Sequence, residues 1–459
     1  AYIPLHRISR ADIAQFWRGA DPRGEKAVAN FDEDSLTMSV EAAIDCLQGV
    51  DPKSVDGLFM ATTTPPNMER LGASIMAKAV DLRQDIRTMD VTGSMRAGTT
   101  ALLSALDAVN SSAAGSVMVT ASDHRLGVPA GGIERALGDG AAAFLISNEN
   151  VVARVIARHS ISDDFSGVWR AYGDNFVRSW EDRMVYDTGY SRLLPKVMSE
   201  IMKKCNLSVN DLAKVVYDAP IDVKRHSVVA NELGFDHTQV QDHMFNTVGV
   251  TGAAMSMMML VSALEETKPG DKILVASYGN GADAFVLEVT EAIKNVGERR
   301  GIKRHLASKR MIENYQTYLR WRNLVPVEAA RRPERAPTSI AGLWVNSKQI
   351  LSFYGVKCKK CGTPQYTIPG GIDRTAPTRV CVVCQAMDEF EDYRFSDKRG
   401  VIFSFAHDNL ADSVDPPVTV AISARLILCR GIYAPYDDIP LTYCISFLPN
   451  TILVCKSRD

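Results

Sequence analysis

The run Lys272-Ile273-Leu274-Val275-Ala276-Ser277-Tyr278-Gly279-Asn280-Gly281-Ala282-Asp283-Ala284-Phe285-Val286-Leu287-Glu288-Val289 decides the fold class. Lys272–Ala276 and Ala284–Val289 are short apolar segments of the length and β-branched content of buried strands. Between them, Gly279-Asn280-Gly281 is a turn in which backbone N–H groups can approach a substrate oxygen, as an oxyanion hole requires. Similar apolar runs recur at Val55–Met60, Ser116–Thr120, Ala141–Ile146 and Lys214–Tyr217. Helical patterns at Ser39–Leu47, Gly98–Val109, Ser191–Lys203 and Val250–Leu264 separate them. Such alternation over residues 1 to about 290 predicts a layered α/β domain with parallel strand pairing.

The whole chain of 459 residues is 46% hydrophobic, enough for two or three domains with their own cores and too apolar for a disordered protein. Lys and Arg total 52 against 54 Asp and Glu, so no strong field of either sign recruits nucleic acid or an anionic membrane. The longest apolar runs fall short of the roughly 20 residues a spanning helix needs, so no membrane partner is expected. No basic-then-apolar leader opens the chain, and a start at Ala1 rather than Met is read as a trimmed end. Nine cysteines, four of them in one tight pattern, do not make a disulfide scaffold, and a reducing cytoplasm is the expected compartment.

That pattern is Cys358-Lys359-Lys360-Cys361 and Cys381-Val382-Val383-Cys384, two CxxC turns nineteen residues apart. Each turn aims two thiolates at one ion, and the two together complete a tetrahedral S4 site with no open position. Gly362 suits the positive φ such a turn demands. A structural zinc is therefore expected, on Cys358, Cys361, Cys381 and Cys384, with iron the chemical alternative. Before it, Arg299 to Arg335 is dense in basic residues and carries Tyr315, Tyr318 and Trp321; it reads as a solvated helix packed across a domain interface, with contact to a nucleotide phosphate the alternative, then a linker at Arg331–Pro337. From Gly342 onward, short β-rich runs predict a small all-β module.

Several motifs point further. Ala121-Ser122-Asp123-His124-Arg125-Leu126-Gly127, Gly138-Asp139-Gly140-Ala141-Ala142-Ala143-Phe144, Trp180-Glu181-Asp182-Arg183, Asn246-Thr247-Val248-Gly249 and Ser277–Phe285 resemble the hydroxymethylglutaryl-CoA synthase and ketoacyl synthase III branch of the thiolase superfamily, in family order. That resemblance implies a five-layered α-β-α-β-α fold of two similar halves, residues 1–150 and 151–295, typically dimeric, making or breaking carbon–carbon bonds between acyl thioesters. Tyr2-Ile3-Pro4 is similar to the end of the family's opening strand. Phe353-Tyr354-Gly355, the two knuckles, Arg399–Phe405 and Pro416-Pro417 resemble the zinc-ribbon plus OB-fold partner of acyl-CoA enzymes. The expected division is then a basic helical linker at 296–341, a zinc ribbon at 342–395 and an OB-fold β-barrel at 396–459. The apolar, cysteine-bearing Ile422–Cys455 departs from the family's acidic, glycine-rich strands. An OB fold usually suggests nucleic acid, but here acidic Asp388, Glu389, Glu391 and Asp392 offset the nearby bases, and the resemblance implies a lid on CoA instead.

The catalytic pattern is broken. The family's nucleophilic Cys, at the start of a buried helix, falls on Met95 in Asp90–Leu102; a thioether forms no acyl-enzyme, and the hydroxyl of adjacent Ser94 points differently. The family His matches Asp218 in Val216-Tyr217-Asp218-Ala219-Pro220, and the synthases' general-acid Glu falls at Thr63. Asn246, a neutral donor suited to a thioester carbonyl, is the matched catalytic residue that stays. Three readings follow. In the first, an aldol or retro-aldol reaction uses Asp218 as base, with Tyr190 or Tyr217 as proton relay and Met95, Gly279 and Gly281 lining the CoA thioester. In the second, the domain is a non-catalytic acyl-CoA binder, or scaffold beside an active thiolase. In the third, Met95 marks the loss of a Cys-dependent activity. His124 and His226 are read as a cap and a helix-face residue, and Met255, Met257, Met258 and Met259 as core.

Overall fold

In the computed structural model, residues 1–19, 22–328, 339–366, 379–408, 414 and 418–427 are described. The chain divides into two compact units, one of residues 1–77 and 82–318, the other of residues 78–81 and 319–459.

The first unit carries two four-stranded sheets. One orders Arg87–Val91, Gly57–Ala61, Ser116–Asp123 and Gly140–Ser147 across its width. The other orders Lys214–Tyr217, Lys272–Tyr278, Gly281–Val289 and Ala153–Ser162. Pairing is parallel where helices intervene, at Gly57–Ala61 with both neighbours and at Lys214–Tyr217 with Lys272–Tyr278. The expected parallel character stops there. The short turn at 279–280 joins its flanking strands antiparallel, and Gly140–Ser147 and Ala153–Ser162 also pair antiparallel. A turn of that length can make only a hairpin, whereas a parallel return needs a crossover of a dozen or more residues. Tyr2 exchanges backbone hydrogen bonds of 2.8 and 2.9 Å with Ala141, beside the last strand of the first sheet. Ala153–Ser162 occupies the corresponding edge of the second, so the two halves repeat one plan.

Five layers result. The helix Ser35–Cys46 covers the outer face of the first sheet, opened by a capping box in which Asp34 and Thr37 bond each other's backbone at 2.8 Å. The helices Ala97–Asn110 and Met255–Leu264 lie between the sheets, and Ser191–Lys204 and Lys224–Leu233 cover the second. The middle pair differ in kind from the outer ones. Ala97–Asn110 buries mostly small residues, and a Cβ on Gly98 would stand 2.4 Å from the Ala253 carbonyl, so Gly permits the contact. Met255–Leu264 is apolar on nearly every face, and its four methionines fill the central core. The helix begins at Met255 rather than Val250, because Val250 bridges Leu137 and Gly252 takes a positive φ in the turn Gly252–Ala254.

The basic segment after Arg299 is not all linker. It contributes the helix Lys303–Ala307 and the strand Arg310–Met311, which pairs with His6–Ser9. Tyr315 and Tyr318 are buried and stacked, with the Tyr315 hydroxyl 2.5 Å from Glu134 Oε1.

The second unit opens helically, not as β structure: Ile340–Val345 and Ser347–Ser352 precede the first strand, with Ser339 capping through a 3.0 Å bond to the Gly342 amide. Then Pro364–Gln365, Tyr354–Cys358 and Phe390–Arg394 form a three-stranded antiparallel sheet. Arg399–Asp408 and Val418–Ile427 pair antiparallel, with register shifts near Ile402. The linker residues 331–337, Pro416-Pro417 and the stretch beyond Ile427 lie outside the described residues. Among the described residues, no helix is long and apolar enough to cross a membrane.

Candidate functional site

Asp218 follows directly on the strand Lys214–Tyr217. Its Oδ2 accepts the Ser277 hydroxyl at 2.6 Å and the Tyr278 amide at 2.8 Å, and Ser256, at the start of the helix Met255–Leu264, faces the same carboxyl. Burial disfavours the charged form and pushes the group up to about 6, although all these donors pull the other way. The resulting group is an acid–base poised just below neutrality.

Tyr190 reaches Asp218 by another atom. Its hydroxyl donates to the Asp218 main-chain carbonyl at 2.7 Å, so it braces the loop and does not touch the carboxylate. Burial holds its own pKa far above the ordinary tyrosine value. The expected relay through Tyr190 is therefore not formed, and Tyr217, whose hydroxyl donates to the His226 carbonyl at 2.7 Å, also points elsewhere. His226 is buried, stacked on Tyr217 at 3.9 Å, and driven down to about 3 by desolvation, which makes it a neutral core residue.

Met95 is half-buried just before the helix Ala97–Asn110. The Gly279 turn is bolted to it. Ser94 Oγ and Arg96 Nε both donate to the Gly279 carbonyl at 2.8 Å, Arg96 Nη1 meets Asp283 Oδ1 at 2.6 Å, and the Thr99 hydroxyl holds Asp283 Oδ2 at 2.9 Å. A Cβ on Gly279 would stand 2.9 Å from the Met95 nitrogen, and one on Gly281, at φ +111°, only 2.0 Å from the Ile161 carbonyl. Both glycines are required by close packing. The expectation that Gly279 offers its N–H to a substrate is not met, since that N–H donates to the Gly281 carbonyl at 2.9 Å.

Thr63, which the resemblance sets against the synthases' acid, joins a second cluster. Asp123, fully buried, accepts the Thr63 amide at 2.6 Å, the Thr63 and Thr62 hydroxyls at 2.9 and 3.1 Å, and the Ala253 amide at 2.7 Å. His124, half-buried, donates its own amide to Thr64 Oγ1 at 2.9 Å. Ala253 and Ser256 are three residues apart, so the Asp123 and Asp218 clusters meet across one turn of chain. Asn246 stands apart from both. It is exposed, its side-chain oxygen lies 3.4 Å from Arg10 Nη1, and its carbonyl takes the Glu25 amide at 2.9 Å.

Sequence reasoning missed Arg96, Asp283, Ser256 and Asp123. Asp283 and Asp123 lay inside quoted motifs, and a carboxylate amid apolar strand residues was the available signal. Their partners come from remote segments and could not be read locally.

In the second unit the four cysteine sulfurs lie within 4.8 Å of one another, with Cys358 to Cys384 at 3.6 Å and Cys361 to Cys381 at 3.5 Å. Sulfurs sharing a tetrahedral zinc at about 2.3 Å stand roughly 3.8 Å apart, so the set fits. Gly362 takes φ +74° as expected, and Gln385 does the same for the second knuckle at φ +58°.

The chain is 31% identical over 317 residues to a hydroxymethylglutaryl-CoA synthase of Thermococcus gammatolerans, covering 67% of this chain and 88% of the relative. It is 30% identical over 331 residues to that of Methanopyrus kandleri, covering 69% and 94%. No family model matches. Among solved structures, a hydroxymethylglutaryl-CoA synthase complexed with CoA superposes with a TM-score of 0.61 at 17% identity, over 73% of this chain and 93% of that one. The 3-oxoacyl-[acyl-carrier-protein] synthase III of Aquifex aeolicus gives 0.56 at 20%, over 62% and 97%. The two solved structures share the fold of the first unit.

Proposed function

The chain belongs to the hydroxymethylglutaryl-CoA synthase family, and from that premise we propose that it makes or breaks a carbon–carbon bond in acyl-CoA thioesters by an aldol or retro-aldol route, without a cysteine acyl-enzyme. The observation that carries this reading is the Asp218 carboxyl, buried between Ser277, the Tyr278 amide and Ser256 and poised at about 6. In the cleaving direction, Asp218 takes the proton of a 3-hydroxyl, and the bond between C2 and C3 breaks. C3 leaves as a carbonyl, and the electron pair passes into the thioester enolate, which a proton at C2 then quenches. Met95, beside the amino end of a long helix, leaves the thioester carbon unattacked while the helix dipole favours negative charge on its oxygen. The Arg96–Asp283 clamp keeps the Gly279 turn against that helix end.

A second reading, a catalytically inactive acyl-CoA-binding or scaffold subunit beside an active thiolase, is favoured by Tyr190 and Gly279, whose donors are both spent within the protein. Mass spectrometry of 3-hydroxyacyl-CoA, 3-oxoacyl-CoA and acetyl-CoA mixtures incubated with the protein separates the two. New acyl-CoA masses that vanish in Asp218→Asn support the aldol route; unchanged masses with retained CoA binding support the scaffold. For the second unit, we read the four cysteines as a structural zinc site and the strands after Phe395 as the start of an OB-type barrel.

A further inference from the structure

The two oxygens of the Asp218 carboxyl have unequal surroundings. Oδ2 accepts the Ser277 hydroxyl at 2.6 Å and the Tyr278 amide at 2.8 Å, so both of its lone pairs are in use. Oδ1 is shielded from water and has no hydrogen-bond partner among the described residues. An unpaired buried carboxyl oxygen is unfavourable, and such atoms stand where a proton or a ligand completes them. Ser277, on the strand Lys272–Tyr278, is 1% exposed, and among the described residues its hydroxyl bonds Asp218 alone. The other groups facing Asp218 are hydroxyls. Ser256, from the helix Met255–Leu264, adds no hydrogen bond to Oδ1. Tyr190, from the turn Val185–Tyr190, bonds only the main-chain carbonyl of Asp218, and burial keeps its phenol protonated. Tyr217 donates to the His226 carbonyl instead. Two donors on one oxygen match an ionised carboxylate, which only accepts. They do not match the imidazole that the resemblance sets at this position, with its single accepting nitrogen.

We propose that Ser277 is a positioning residue for Asp218: by pinning Oδ2 together with the Tyr278 amide, it makes Oδ1 the oxygen that holds and exchanges the proton. The proposal rests on the acyl-CoA reading above, in which Asp218 is the base. In cleavage, Oδ1 takes the 3-hydroxyl proton as the bond between C2 and C3 breaks; in condensation, it returns that proton to the new alkoxide. Ser277 touches no reacting atom and acts through the carboxyl. Its hydroxyl and the amide of the next residue fix the carboxyl plane, and with the hydroxyl gone the group turns about χ2 and either oxygen carries the proton. The same hydroxyl favours the ionised form against burial, so it also sets the pH at which Oδ1 gives its proton up.

Infrared difference spectroscopy of the full chain across a pH titration tests this, with Asp218→Asn identifying the Asp218 band. In wild-type protein the midpoint should lie at about 6. The C=O stretch of the protonated acid should fall in the hydrogen-bonded range, because Oδ2 remains the carbonyl. Ser277→Ala should raise the midpoint by about one to two pH units, the size of one hydrogen bond to a charged group, and move the stretch toward the free-acid range. Ser277→Thr keeps the hydroxyl and should restore both. If Ser277→Ala does not fold, Ser277→Cys, with its weaker donor, carries the same expectation with a smaller rise. A midpoint unmoved in these variants would overturn the proposal, as would one displaced as far in Ser277→Thr as in Ser277→Ala. A free-acid stretch in wild-type protein would place the proton on Oδ2 and overturn it too. Where turnover is present, the acidic limb of kcat/KM should move with the band. A midpoint that answers to Ser277, with acyl-CoA masses unchanged at every pH, would uphold the positioning of Asp218 and sink the aldol route instead.

Discussion

Replacing Asp283 with alanine removes the carboxylate on which the Gly279 clamp turns. Asp283 is 2% exposed at its side chain and Arg96 19%, with 2.6 Å between them. The loss would leave the Arg96 guanidinium with only the Gly279 and Asn280 carbonyls, and would strip Thr99 of its 2.9 Å acceptor. Breaking a buried pair from one side costs about 3–5 kcal/mol. The pair here is partly open to water at Arg96, and the two carbonyls still accept, so about 3 kcal/mol is the reasoned figure. For a cooperative body of about 310 residues, unfolding entropy near 0.65 kcal/mol/K turns that into a fall in Tm of roughly 5 °C. Differential scanning calorimetry measures it, and Asp283→Asn, which keeps one acceptor oxygen, should fall by about half as much. Because the clamp also sets where the turn meets Met95, turnover of any acyl-CoA substrate should drop further than stability explains. A Tm within 1 °C of wild type for Asp283→Ala would refute the idea that this pair holds the turn.

Two further outcomes follow from the same geometry. Burial keeps the Asp218 proton on until about pH 6, so a reaction using it as base should rise about tenfold per pH unit below 6 and level off above; a kcat/KM profile flat from pH 5 to 8 would exclude that role. The same raised value means the folded state holds its proton more tightly, so this group's contribution to stability declines as pH climbs from about 4 toward 6. Elemental analysis should find one zinc per chain, and Cys381→Ser should lose it and expose the Tyr354–Arg394 region to protease while the transition of the first unit stays in place. A metal content unchanged by Cys381→Ser would rule out these four sulfurs as the ligands.

The layered α/β plan, most of the strand and helix positions and the convergence of four cysteines were legible in the sequence. Each rests on local information: hydrophobic period, turn glycines and the spacing of two knuckles over a few residues. The expectations placed on Met95 and Asp218 rest on the same kind of local reading, as departures from the pattern of the family the motifs resemble. Strand direction was not, because the 279–280 turn enforces a hairpin that apolar content alone cannot distinguish from a parallel pair. Nor could the sequence tell that Tyr190 spends its proton on a backbone carbonyl, that Gly279 N–H is occupied, or that Asn246 faces Arg10. The Tyr190 and Asn246 outcomes depend on atoms 28 and 236 positions apart, as Arg96 crosses 187 to Asp283, whereas the Gly279 bond is set by the geometry of its own hairpin turn. Residue types and their spacing determined what chemistry the chain carries. Burial and long-range pairing, which exist only once both sheets have closed on the central helices, decided which of those groups are spent on structure, as with Tyr190 and Asp283, and which carboxyl, at Asp218, is pushed up by burial.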